Sequence, residues 1–209
     1  MSIIDLELGQ QSPAITEGST TPGQQAYLTS LVQGMNAEWV AEIGMNAGVS
    51  ARTMLGAKPD IAVHSFDIAE HPYIFEKKVA LDRDFPGRHE LVVGDSRETV
   101  PEFPGSDLFD LVFIDGGHEY NVARCDILNM ARLVKPRGVV VIDDITPWNY
   151  TGKGPTKALL AMMRRGVLDP TSVRFHSDKP SITDDVVSRR RVWATARYTA
   201  DAAAKAPTL

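Results

Sequence analysis

The sequence predicts an α/β domain with a doubly wound, mostly parallel sheet. Three observations carry that expectation. Short apolar runs alternate with helix-compatible stretches along the whole chain, the pattern of βαβ units. The run 108–115 is apolar at nearly every position, as a strand buried on both faces requires. The run 40–43 passes through Glu42 into a loop holding Gly44 and Gly48, then directly into a helix-compatible stretch at 51–55. Glycine admits positive φ and lets backbone approach a ligand closely. A strand that ends in such a loop and opens a helix is how open α/β sheets hold nucleotide-like ligands at their carboxyl edge. A tight turn without a ligand would look the same locally, so the rest of the chain has to decide.

Taken in order, residues 1–21 are polar and aperiodic and read as a flexible arm, one that could order over a ligand or serve a homodimer. Pro22 suits a first helical turn, and Ala26, Leu28, Leu31 and Val32 give that helix an apolar face. After the glycine loop, 61–67 is a strand ending in Asp67, Pro72 opens a helix to about Asp84, and 90–95 is a strand ending in Asp95. The strand 108–115 ends in Asp115, and the helix after it carries Tyr120, Ala123, Ile127, Ala131 and Val134 at helical spacing. Lys135-Pro136-Arg137-Gly138 is expected to break that helix before a fifth strand that ends in Asp143 and Asp144. Gly154-Pro155 is expected to start a helix that Gly166 ends. Runs 172–175 and 191–197 read as two last strands joined by a polar loop, and 199–209 as a flexible tail. The expected organisation is therefore one domain over 22–198.

The bulk properties narrow the function. A chain of 209 residues with 43% hydrophobic content supports one sizeable core. A net charge of −5 argues against nucleic acid, which needs a basic face. The one basic cluster, Arg189-Arg190-Arg191, reads as the cap of a surface turn. Cys125 is the only cysteine and reads as a packed thiol, which leaves no intramolecular disulfide and no cysteine zinc site. Without an apolar run of spanning length or a signal-peptide core, the expectation is a cytoplasmic protein with no membrane partner.

The acids carry the chemistry. Asp67, Asp95, Asp115, Asp143 and Asp144 all fall at expected carboxyl ends of strands, the edge where such sheets bind ligands. Asp95 alone suits a helix N-cap. Asp67, one βαβ unit beyond the glycine loop, is placed to accept hydrogen bonds from ribose hydroxyls. Asp115, Asp143 and Asp144 form a hard-oxygen set that suits Mg²⁺, Mn²⁺ or Ca²⁺; the alternative has Asp144 capping the next segment. His118 follows Asp115 on the Gly116-Gly117 turn and can serve as a base or as a structural residue. Trp148, Tyr150 and the Gly152-Lys153-Gly154 turn line an acceptor pocket or simply pack.

These motifs together resemble the class I S-adenosylmethionine-dependent methyltransferases, specifically the divalent-metal-dependent O-methyltransferases. Glu42-Ile43-Gly44 with Gly48 and Ser50 is similar to the cofactor loop, Asp67 to the ribose acid, and Gly94-Asp95-Ser96 to the segment beside the adenine. Phe113-Ile114-Asp115-Gly116-Gly117-His118 and Val141-Ile142-Asp143-Asp144 resemble the two metal-carrying strand ends, and Lys135-Pro136-Arg137-Gly138 the turn before the fifth strand. The resemblance implies a seven-stranded Rossmann-like sheet with an antiparallel last strand. It implies S-adenosyl-L-methionine held by Glu42, Gly44, Asn46, Gly48, Ser50, Asp67, Asp95, Ser96 and Asp115. It also implies Mg²⁺ on Asp115, Asp143 and Asp144, with a small-molecule hydroxyl as acceptor. Asp143-Asp144 stands where catechol enzymes carry Asp-Asn, and His118 where they carry lysine. That shifts the expected acceptor toward sugar and other natural-product hydroxyls, with His118 as base. A metal-independent methyltransferase of the same fold is one alternative. An NAD(P)-dependent oxidoreductase would want a glycine where Asn46 stands. A non-catalytic nucleotide-binding module would leave three acids without a role.

Overall fold

The computed structural model describes residues 20–106, 108–178 and 191–206. All but the last two residues of the expected arm, and most of the loop joining the last two strands, lie outside that range. Helix α1 (Pro22–Gly34) begins at the proline, fixed by a capping box between Thr21 and Gln24. There follow β1 (Trp39–Ile43), α2 (Val49–Ala57), β2 (Ala62–Asp67), α3 (Tyr73–Asp84), β3 (His89–Val93) and α4 (Ser96–Glu102). The second half holds β4 (Phe109–Ile114), α5 (Tyr120–Met130), β5 (Val134–Ile142), α6 (Tyr150–Arg164), β6 (Arg174–Ser177) and β7 (Val192–Ala196).

The seven strands form one sheet in the order β3-β2-β1-β4-β5-β7-β6. The strands β1 to β5 pair in parallel, and β7 runs antiparallel to both β5 and β6. Helices cover both faces, and successive side chains of each central strand go to opposite cores. On β4, Val112 and Ile114 pack with α5 and α6, while Leu111 and Phe113 pack with α1 and α2. Among the described residues no helix is long and apolar enough to cross a membrane.

Four boundaries differ from the sequence expectation. Helix α4 was not expected; it is seven residues long with Pro101 inside, too short and too polar to show a periodic face. Arg132 satisfies its end by donating to the carbonyls of Val100, Pro101 and Phe103. Helix α5 stops at Met130, and Lys135-Pro136-Arg137-Gly138 lies inside β5 as an irregularity, with the register to β4 shifting between Phe109 and Leu111. Helix α6 begins at Tyr150, a turn before Pro155. The expected tail is anchored in its described part: the Thr199 amide donates to the Val167 carbonyl at 3.0 Å, Lys205 to the Gly166 carbonyl at 2.7 Å, and Ala202 is buried.

The sheet order puts β1 beside β4, with the chain leaving them toward opposite faces, so a crevice opens between their carboxyl ends. There the backbones meet. The Asp115 amide donates to the Ile43 carbonyl at 2.9 Å, and the Gly44 amide donates to the Phe66 carbonyl at 2.8 Å. Gly44 has φ +91°, and a Cβ on it would stand 2.1 Å from the Asp115 carbonyl oxygen. Gly44→Ala should therefore lower stability by more than about 2 kcal/mol, from left-handed strain plus a forced separation of β1 and β4. Urea denaturation measures this, and an unchanged midpoint would show that the two strand ends can part freely.

Candidate active site at the β1–β4 crevice

A cavity of about 580 Å³ occupies the crevice, within the range of small-molecule sites. Gly44, Asn46, Asp67, Asp95, Ser96 and Asp115 line it, together with Gly116, Gly117 and His118. Asp67 is the tie between the cavity and the glycine loop. Its Oδ2 accepts the amides of Met45 at 2.8 Å and Asn46 at 3.0 Å, and its Oδ1 accepts the Ala69 amide at 2.8 Å. A carboxylate offers about four lone-pair positions, so one remains for a ligand hydroxyl. Asn46 holds φ 45°, and its side-chain oxygen accepts the Tyr73 hydroxyl at 2.5 Å. Gly48, at φ 72°, is the N-cap of α2.

Asp95 is the N-cap of α4, accepting the Arg97 amide at 2.9 Å, and the Arg97 side chain holds its carboxyl below the usual range. The helix-cap reading of Asp95 thus describes what it does in the fold, although it also borders the cavity. Ser96 donates to Asp126 Oδ1 at 2.6 Å. Asp126 is fully buried on α5, its carboxyl is pushed up to about 7 by burial, and its other oxygen has no hydrogen-bond partner. Sequence reading passed over it. The available signal was an acid on the same helical stripe as Ala123, Ile127 and Met130.

Two residues expected at the cofactor are turned inward instead. Glu42 is wholly buried beneath the loop, where Ser50 donates to its Oε2 at 2.6 Å and Ser65 to its Oε1 at 2.5 Å. Ser65 Oγ also meets His89 Nε2 at 2.8 Å. With the serine hydrogen given to Glu42, the imidazole must donate through Nε2, and buried Nδ1, which lacks a partner, is then an unprotonated nitrogen. Glu42 and Ser50 therefore brace the glycine loop against β2 and β3 and have no side-chain atom lining the main cavity. A strand-end acid in a cofactor-like motif gave no sign that its side chain points to the helix side of the sheet.

Past Asp115 the cavity wall becomes the acid cluster. One ligand atom each from Asp115, His118 and Asp144 lies within 4.8 Å of the others. Asp143 stands beside them, with Oδ1 accepting the Gln24 side-chain amide at 2.7 Å. Asp144, at φ 55°, offers Oδ2 to His118 Nε2 at 2.7 Å and Oδ1 to Arg191 at 2.8 Å. Burial and then the charges of Asp143 and Asp144 raise Asp115 well above the usual range. Asp143 rises to about 6, by burial first and Asp144 second. Burial works against the Asp144 anion too, yet the His118 bond and Arg191 hold it below its ordinary value. The His118 ring is raised, chiefly by its bond to Asp144.

Gln24 and Arg191 were not foreseen at the site, since each reaches the cluster from a distant part of the chain. Arg191 is not a surface cap; Arg189 and Arg190 lie outside the described residues. Trp148 and Tyr150 are 46% and 92% exposed and are not among the cavity's lining residues. Gly152 and Gly154 are helical. A Cβ on Gly154 would stand 2.0 Å from the His118 carbonyl oxygen, so this glycine lets α6 press against the turn that carries the histidine.

A model of the methyltransferase-domain family matches residues 41–145, half of the 209 residues. The chain belongs to that family. Among curated proteins, a provisionally named O-methyltransferase of Mycobacterium sp. (strain JLS) is 28% identical over 130 residues, covering 61% of this chain. This chain spans 58% of that relative's length. Among solved structures, cofactor-bound Rv0187 from MTB is 27% identical with TM-score 0.66, over 90% of this chain and 84% of that one. The O-methyltransferase TomG from Streptomyces achromogenes, in complex with SAM, shares the fold at TM-score 0.68 and 19% identity, over 87% of this chain and 82% of its own.

The matched methyltransferase domain begins at Ala41, so Glu42 lies within it. Burial pushes the Glu42 carboxyl up to about 7 from its ordinary 4.5, outweighing the two serine bonds. A carboxyl raised on folding favours the folded state below about pH 4.5 and loses that contribution as pH rises through about 7. Glu42→Gln cannot ionise. It should gain about 3 kcal/mol on the wild type between pH 4.5 and pH 8. Denaturation across that range tests this, and parallel pH profiles for the two proteins would refute it.

Proposed function

We propose that the protein is an S-adenosylmethionine-dependent O-methyltransferase whose acceptor is a hydroxyl of a small natural product or secondary metabolite. The observation that carries the reading is the position of Asp115, which belongs both to the nucleoside-sized cavity and to the acid cluster. Methyl donor and acceptor oxygen can therefore meet at one residue. Family membership and the names of relatives support methyl transfer, and the Asp143-Asp144 pair with His118 supports the acceptor class.

The cavity suits the cofactor. Gly44 and Gly48 keep the loop low, Asp67 has lone-pair capacity left for ribose, and the acids around Asp115 favour a sulfonium charge. The acid cluster suits a divalent cation: Asp115 and Asp144 offer hard oxygens with His118 within 4.8 Å, and Asp143 adds a third acid that burial first and Asp144 second push upward. Asp115, Asp143 and Asp144 would hold Mg²⁺ or Mn²⁺. Such an ion, when bound, supplies Lewis-acid charge that lowers the pKa of the acceptor hydroxyl. His118 then takes the hydroxyl proton. Its Nε2–H is committed to Asp144, so Nδ1 carries the lone pair in the neutral ring, and Asp144 stabilises the imidazolium that forms. As the oxygen–methyl bond forms, the sulfonium carbon–sulfur bond breaks and leaves a neutral thioether.

One observation favours a second reading. Arg191 already brings a positive charge to Asp144, which would suit a metal-independent methyltransferase. Methyl transfer in EDTA separates the two. On the metal-assisted reading activity disappears and Mg²⁺ or Mn²⁺ restores it, and Asp143→Ala and Asp144→Ala behave like the chelator. Undiminished turnover in EDTA would assign the charge to Arg191.

The base has its own signature. Because Asp144 raises the His118 pKa, the neutral form accumulates only above the ordinary 6.5, and kcat should climb with pH through that raised value. His118→Ala should lower kcat about 10²- to 10⁴-fold and remove that limb, while leaving the Kd for S-adenosylmethionine nearly unchanged. A variant with intact kcat and weakened folding would make His118 a structural residue.

A further inference from the structure

The acid cluster carries a cation of its own. Arg191 is anchored just before β7: its amide donates to Asp178 Oδ1 at 3.2 Å, and its carbonyl accepts the Asp178 amide at 3.4 Å. From there the guanidinium reaches Asp144 Oδ1 at 2.8 Å, with the Asp144 side chain 7% exposed. Its charge also acts on Asp143 and Asp115. His118 holds the second oxygen of Asp144. Both oxygens of this carboxylate are thus engaged by donors, and one of them is a permanent cation.

A divalent ion taking Asp144 as a ligand would sit within a few ångströms of that guanidinium, deep enough for the repulsion to be poorly screened. The two positive charges compete for one carboxylate. We infer that Arg191 is the resident counter-ion of the acid cluster, displaced from Asp144 when a divalent cation binds, so that it sets the metal affinity of the site. The inference rests on the metal-assisted reading above. Without the ion, Arg191 offsets the repulsion of three crowded acids; with it, the guanidinium is released at the point where the chain enters β7.

The test measures Mn²⁺ binding to the full chain without cofactor or acceptor, reading free Mn²⁺ by electron paramagnetic resonance. Arg191→Gln should bind Mn²⁺ about 10- to 100-fold more tightly than the wild type, the range of one charge-assisted hydrogen bond. Arg191→Lys, which keeps the charge but loses the planar fork, should fall between them and serves alone if the glutamine variant does not fold. Thermal scans give a second readout: metal-free Arg191→Gln should melt below the wild type, and Mn²⁺ should raise its melting temperature by more. Wild type and variants that bind Mn²⁺ equally, or variants that bind it more weakly, would overturn the counter-ion role and leave the metal site standing. Absence of Mn²⁺ binding in all three proteins would overturn the metal-assisted reading as well.

Discussion

The close contact between Gly44 and Asp115 holds the crevice together. Two parallel strands that are neighbours in the sheet but distant in sequence end side by side, and the chain leaves them in opposite directions. Only a residue without Cβ lets the first loop lie against the carbonyl of Asp115. From that approach come the crevice, the position of Asp67 under the loop amides, and the entry of Asp115 into the cavity wall. A wider separation would part the glycine loop from the acid cluster, and each would then be an ordinary strand end.

Crowding acids at one edge has an electrostatic cost, and the fold meets it in different ways at different places. Glu42 is insulated: two serines satisfy it beneath the loop, one of them held in turn by His89, and it folds most readily with its proton on. Asp126 is kept by Ser96 in a similarly dry setting. Asp144 is balanced by charge, from Arg191 on one oxygen and His118 on the other. Asp115 and Asp143 are raised by burial first and by their acidic neighbours second, with Gln24 bonding Asp143 and Arg191 working against the rise in both.

Much of this was legible in the sequence because it is local. An apolar run that ends in an acid announces both a buried strand and its carboxyl edge, so Asp67, Asp115, Asp143 and Asp144 could be placed together before any fold was known. The glycine loop was legible for the same reason. Helix α4 was not, since seven residues including a proline show no period. The inward turn of Glu42 and Ser50 depends on which face of β1 meets α2, and a motif does not state that. Gln24, Asp126 and Arg191 act through contacts spanning 119, 30 and 47 residues of sequence, and only the packing of α1, α5 and β7 brings them in. Gly154 looked like part of a flexible turn because its real partner, the His118 carbonyl, stands far back along the chain, before α5.

On the proposed function, this crevice takes S-adenosylmethionine through Asp67 and the glycine loop. Isothermal calorimetry of the wild-type protein against S-adenosylmethionine and against NAD⁺, repeated with Asp67→Ala, tests it most directly. S-adenosylmethionine alone should bind, and removing the carboxylate and its charge-assisted hydrogen bonds should weaken it by about 1.5–3 kcal/mol. Binding of NAD⁺ without S-adenosylmethionine, or a dissociation constant unmoved by Asp67→Ala, would contradict it.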